Sequence, residues 1–164
     1  MKTCIGLFGT CGSSIWRKAF MREYDRLDIT YFNPQVDDWK PELAKVEAEH
    51  LASDAIIVSP VTNETYATGS LAETGFSILN AIRLEARRDF VVMIDSTLKP
   101  ELMENLVMAK ESIRARALVT EHLKKCPYDN IHFVSTLDDM LKVSLVLWDI
   151  LLRKEQVKRM TVEV

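Results

Sequence analysis

Glu73 stands in Ser70-Leu71-Ala72-Glu73 and falls off the apolar stripe that Leu71, Gly75 and Ile78 make at helical spacing. A carboxylate so placed faces the crevice instead of the core. The same four residues also spell a capping box, in which a Ser at the helix start and a Glu three residues on satisfy backbone N–H groups and do nothing else. A second chemistry is written into Cys11 and Arg17, spaced C-x5-R, the spacing at which a thiolate and a guanidinium hold a phosphate. Against it, Gly9 and Thr10 separate the cysteine from the preceding apolar run, Lys18 follows the arginine, and no Asp-Pro acid follows. Gly9-Thr10-Cys11-Gly12-Ser13-Ser14 is a glycine-flexible turn with hydroxyls and free N–H groups, suited to an anion or a sugar hydroxyl. It matches neither the dinucleotide GxGxxG nor the phosphate-loop pattern. Trp16, Trp39 and Tyr66 sit beside loops, where their rings can stack on a flat ligand or pack inward, and Asp37 and Asp38 offer acceptors beside Asn33.

Positioning these groups requires a regular scaffold, and the hydrophobic pattern supplies one. Apolar runs at Cys4–Gly9, Ile29–Phe32, Ala55–Ser59, Phe90–Ile94 and Ile131–Val134 read as strands. Between them come helical stretches. One starts near Ser13 or Ser14, either of which can cap it, and runs to about Leu27; the next is opened by Pro41 and carries Leu43, Val46, Ala48 and Leu51. A third follows Gly69 and runs through Ile82, a long one spans Pro100–Lys124, and a last one spans Leu137–Leu152, opened by Ser135 or Thr136. Strands separated by helices need crossovers, so the fold class is α/β: a single Rossmann-like, flavodoxin-like domain with a mainly parallel five-stranded sheet, helices on both faces and strand order 2-1-3-4-5. The domain spans 1–154 and residues 155–164 form a tail. In such a sheet the ligand crevice lies beyond the carboxyl ends of strands one and three, where strand order reverses. The loops Gly9–Ser14, Asn33–Trp39 and Pro60–Ser70 meet there.

The chain has 164 residues, enough for one core, and 48% of them are hydrophobic. With 21 Lys and Arg against 24 Asp and Glu the net charge is −3, and no basic run tracks a nucleic-acid backbone, so duplex nucleic acid is not expected as a partner. No apolar run reaches the roughly 20 residues that cross a bilayer, and the opening residues read as a strand and glycine loop, which points to a cytoplasmic protein without a membrane partner. Cys4, Cys11 and Cys126 are odd in number and lack CxxC spacing, and His50, His122 and His132 lie far apart in sequence. Reduced thiols and no metal are therefore expected. Val143 and Leu145 to Trp148, then Ile150 to Leu152, leave the last helix apolar nearly all round, which predicts burial on more than one side, either under the helix at 100–124 or against a second chain, and a homo-oligomer is the expected solution.

FGTCGSSIWR, YFNPQVDDW and ETYATGSLAETGF, in this order over the first half of the chain, resemble the nucleoside 2-deoxyribosyltransferase-like family. The resemblance implies a flavodoxin-like fold, often oligomeric, that needs no cofactor and binds a nucleoside or nucleotide. It implies that Glu73 attacks the anomeric carbon of a 2′-deoxynucleoside, forms a covalent deoxyribosyl-enzyme, and passes the sugar to a second base or to water. The implied substrate-binding residues are Gly9, Thr10, Cys11, Ser13, Trp16, Arg17, Asn33, Asp37, Asp38, Trp39, Tyr66 and Ser70. The sequence departs from the family pattern at Ala67, where a second acid usually stands, and at its end, Met-Thr-Val-Glu-Val, which lacks an aromatic residue. Asn63, Glu64, Glu47, Asp37 and Asp38 are candidates for the missing polar partner. A nucleotide-binding module without catalysis and a cysteine phosphatase using Cys11 and Arg17 remain as alternatives.

Overall fold

The structure is a computed structural model that describes residues 1–38, 40–79, 83 and 87–161. Five strands, β1 (Lys2–Leu7), β2 (Tyr31–Phe32), β3 (Asp54–Val61), β4 (Asp89–Ile94) and β5 (Ile131–Phe133), form one sheet in the order β2-β1-β3-β4-β5. Every neighbouring pair is parallel. This is the predicted α/β flavodoxin-like arrangement. Alternation along each strand divides the core between two faces. Ile5, Leu7, Ile56, Val58, Val91 and Met93 point to the face covered by α1 (Arg17–Arg26) and the last helix, α5 (Leu137–Thr161). Phe8, Ile57, Phe90 and Val92 point to the opposite face, where Leu51 of α2 (Leu43–Ser53) and Leu123 of α4 (Leu106–Lys124) close over them. β3 is buried along its whole length, as a central parallel strand must be.

Several boundaries differ from those read off the sequence. Neither Ser13 nor Ser14 caps α1, which begins at Arg17 after Trp16 with no side-chain cap, because Ser14 Oγ is engaged by Glu64 instead. The expected single helix over Pro100–Lys124 is interrupted: Pro100–Glu104 is a 3-10 turn, and α4 starts only after Asn105, whose side chain accepts the Met108 N–H at 3.2 Å. α5 is opened as expected by Thr136, whose Oγ1 accepts the Asp139 N–H at 3.0 Å. It continues to Thr161, so most of the expected tail is helical. Val146 and Ile150 are exposed on α5, whereas Met140, Leu147 and Leu151 are buried in the domain's own core. Among the described residues no helix is long and apolar enough to cross a membrane. Ile82 of the third predicted helix lies outside the described residues.

Candidate functional site

The loop after β1 turns on two glycines with positive φ, +93° at Gly9 and +70° at Gly12. It is sewn to the end of β3 by Thr10, whose N–H donates to the Pro60 carbonyl at 2.9 Å and whose Oγ1 accepts the Thr62 N–H at 2.9 Å. Thr10 is fully buried, and with both groups occupied it joins loops and does not face a ligand. Beneath the same loop lies Arg17, 1% exposed, which donates from Nε to the Leu7 carbonyl at 2.9 Å, from Nη1 to Thr10 at 2.6 Å and from Nη2 to Gly9 at 3.2 Å. Trp16 donates from Nε1 to the Thr10 carbonyl at 2.9 Å, and its ring is buried edge-on against Phe20. The expected ligand contacts of Thr10, Trp16 and Arg17 are thus corrected. A glycine turn with carbonyls pointing inward needs internal donors, and these side chains provide them.

The loop after β3 is fixed from the other side. Arg116 of α4, which no local pattern singled out, donates to the carbonyls of Asp95 at 2.8 Å, Thr62 at 3.0 Å and Thr65 at 2.8 Å. Tyr66 donates its hydroxyl to the Leu102 carbonyl at 2.9 Å. Glu64 accepts from Ser14 and, at 3.1 Å, from Thr62, and pairs with Lys99 at 3.6 Å. Ala67 then takes a left-handed conformation (φ 53°) and starts α3, Thr68–Ala72, which passes into a π-helical turn at Glu73–Ile78. Ser70 is consequently the third residue of the helix and not its cap. The capping-box reading of Ser70 and Glu73 fails for that reason, and Glu73 sits where the helix changes pitch, a place that π-bulges favour at working sites.

Between the two loops, at the switch point of the sheet, is an open cavity of about 380 Å3 lined by Gly9, Cys11 and Gly12 from the first loop and by Thr65–Ser70 and Glu73 from the third. Of the expected residues, it brings together Gly9, Cys11, Tyr66, Ser70 and Glu73. Ser13 is exposed outside it. Asn33 is held back in a local turn, its Oδ1 accepting the Gln35 N–H at 3.0 Å. Gln35, also unforeseen, ties the second loop to the first by donating from Nε2 to the Gly12 carbonyl at 2.7 Å. Asp37 and Asp38 are exposed, and Asp38 pairs with Lys40 at 3.4 Å. Trp39 lies outside the described residues.

Electrostatics single out Glu73 within this cavity. Burial, reinforced by the negative charge of Glu47 on α2 and opposed by Arg17, pushes its carboxyl up to about 7. Cys11 is exposed along one edge, but its sulfur lies 3.4 Å from the Gly9 carbonyl and 3.3 Å from Arg17 Nη2. Burial of the thiol raises it above its ordinary range; Arg17 lowers it, and Glu73 and Glu47 raise it further. A phosphatase thiol needs the reverse shift and a free guanidinium above it. Here the guanidinium is committed to backbone carbonyls, so the pair lacks an anion cradle.

No protein-family model and no curated protein matches this chain. Among solved structures it is similar to the TIR domains in the activated Roq1 resistosome that directly recognises the pathogen effector XopQ. The TM-score is 0.51 at 14% identity, over 91% of this chain and 99% of that one. At that identity the likeness establishes the fold. The protein is an α/β domain of the flavodoxin-like class.

Proposed function

We propose that this protein cleaves the N-glycosidic bond of 2′-deoxynucleosides or their 5′-monophosphates, as the resemblance to the nucleoside 2-deoxyribosyltransferase-like family implies. The observation that carries the reading is Glu73: a carboxyl in a cavity at the switch point, pushed to about 7 by burial and by a second carboxylate, Glu47. A carboxylate held in such a cavity is the nucleophile that a double displacement at an anomeric carbon uses. The ionised Glu73 oxygen attacks C1′, the C1′–N bond breaks, and the base leaves with the bonding pair and takes a proton from water. Water or a second base then attacks C1′ and frees the Glu73 carboxylate. Tyr66, pinned through its hydroxyl, and the glycine loop line the cavity that would receive the sugar. The exposed apolar residues of α5, Val146 and Ile150 with Val157, support self-association.

The test is incubation with each deoxynucleoside and each 5′-monophosphate, with and without a second base, followed by chromatography for free and exchanged bases. Release from at least one substrate is expected, with loss of about a thousand-fold or more in Glu73→Gln. Binding without release by any substrate, or release that survives Glu73→Gln, overturns the reading.

A further inference from the structure

At the far end of the sheet from this cavity, three side chains from three elements converge. Cys4 comes from β1, His50 from the last turn of α2 and Asp54 from the first position of β3, and their donor atoms all lie within 4.8 Å of one another. We propose that Cys4, His50 and Asp54 form a binding site for a divalent transition-metal ion, zinc above all, that pins α2 to the sheet.

The donor set is a thiolate, an imidazole and a carboxylate, the three ligand types zinc takes, with a fourth position left for water. The geometry is close to what the ion requires. Zinc bonds of about 2.0–2.3 Å set tetrahedral ligand atoms about 3.3–3.8 Å apart, and His50 Nδ1 already lies 3.0 Å from both oxygens of Asp54. His50 is oriented by Phe32, whose ring stacks on the imidazole at 3.7 Å and 4°. That contact fixes the ring plane as an outer partner fixes a metal-ligating histidine. On β1 the register shifts beside Cys4: Lys2 is opposite Asp54 but Ile5 opposite Ile56, so three residues span the distance of two. Such a bulge re-aims a side chain, here the one thiol that the strand offers to Asp54. Burial completes the case. Cys4 is 4% and Asp54 0% exposed, while the His50 side chain keeps 20% and gives an ion a way in. A carboxylate so enclosed is costly without a cation, and a metal ion supplies one while the thiol proton is released to solvent. Spacing along the chain could not show this grouping, because only His50 and Asp54 are neighbours in sequence.

Cobalt(II) and zinc titrations of the full chain, freed of metal by chelator, test the site. One equivalent of cobalt should give a thiolate-to-cobalt charge-transfer band in the near ultraviolet and tetrahedral visible bands, displaced by zinc, and zinc should raise Tm. Cys4→Ser and His50→Gln should each weaken binding by about 100-fold or more, whereas a Cys11→Ser/Cys126→Ser double variant should keep the band. Neither band nor Tm shift in the wild-type chain would mean that the three groups are only hydrogen-bonded to one another. A band that persists in Cys4→Ser and vanishes in the double variant would assign the cobalt to other thiols. Either result overturns the proposal.

Discussion

Arg17 Nη2 lies 3.3 Å from Cys11 Sγ, yet the same guanidinium is held by the carbonyls of Leu7, Gly9 and Thr10, so it braces the loop from within. A lysine offers one ammonium in place of that planar fork. Arg17→Lys is therefore expected to lower stability by about 2–3 kcal/mol, as buried carbonyls lose their donors, and urea denaturation measures it. Cys11→Ser should leave base release within about twofold of wild type, because the sulfur supplies no bond to the proposed reaction. Phosphatase activity that depends on Cys11 would contradict the bracing role of Arg17 beside it.

Glu73 gives the proposed activity a definite pH profile. The nucleophile must be ionised, and its carboxyl is held at about 7 in the folded protein, so kcat/KM should rise with pH and level off above neutrality. At pH 5 it should be about 100-fold below the plateau. The opposite slope would make Glu73 the proton donor and another group the nucleophile.

The same shift sets a stability window. The folded value lies above the ordinary 4.5, so the folded chain binds more protons than the unfolded chain between those limits. Stability contributed by this group is fully present below about 4.5 and is lost as pH rises through about 7. Glu73→Gln removes the buried charge. It should be more stable than wild type at pH 8, by about 1–2 kcal/mol after discounting for the solvent that reaches a half-buried group, and no more stable at pH 4. Thermal melts across that range decide it.

A Cβ added at Gly9 would stand 2.4 Å from the Pro60 carbonyl oxygen and 2.8 Å from the Pro60 nitrogen, both backbone atoms, at φ +93°. At Gly12 (φ +70°) the nearest atom, Thr65 Cγ2, is 4.0 Å away. Gly9→Ala is expected to destabilise by about 3 kcal/mol and to lose base release, because the two cavity walls must separate. Gly12→Ala should cost about 1 kcal/mol, the left-handed strain alone. Equal melting temperatures for the two variants would show that the loops do not meet as closely as the Gly9 contact requires.

Along α5, Val146 (59% exposed), Ile150 (40%) and Val157 (58%) make an apolar strip that the domain itself leaves uncovered. Sedimentation at micromolar concentration should show a dimer or larger species. It should dissociate in Val146→Glu/Ile150→Glu without loss of folding, since both residues lie outside the core. A monomeric wild-type chain would end the self-association proposal.

The periodicity of apolar residues determined the alternation of strands and helices, because burial on alternate faces is a local property of spacing, and the crossovers that this alternation requires made the sheet parallel. It likewise kept Glu73 off the apolar stripe, on the side where the cavity opens. Only the tertiary structure decided where loop side chains point. Trp16 and Arg17 carry the chemistry of ligand-binding residues, but the inward carbonyls of a glycine turn claimed their donors. Ser70 has the spacing of a cap, but a left-handed Ala67 began the helix earlier. Arg116 reaches the third loop from a helix about fifty residues on, and Cys4 meets His50 and Asp54 from another strand. These contacts join residues distant in sequence, and what fixes them is the unpaired polar group each element brings to the others, which no window of neighbouring residues contains.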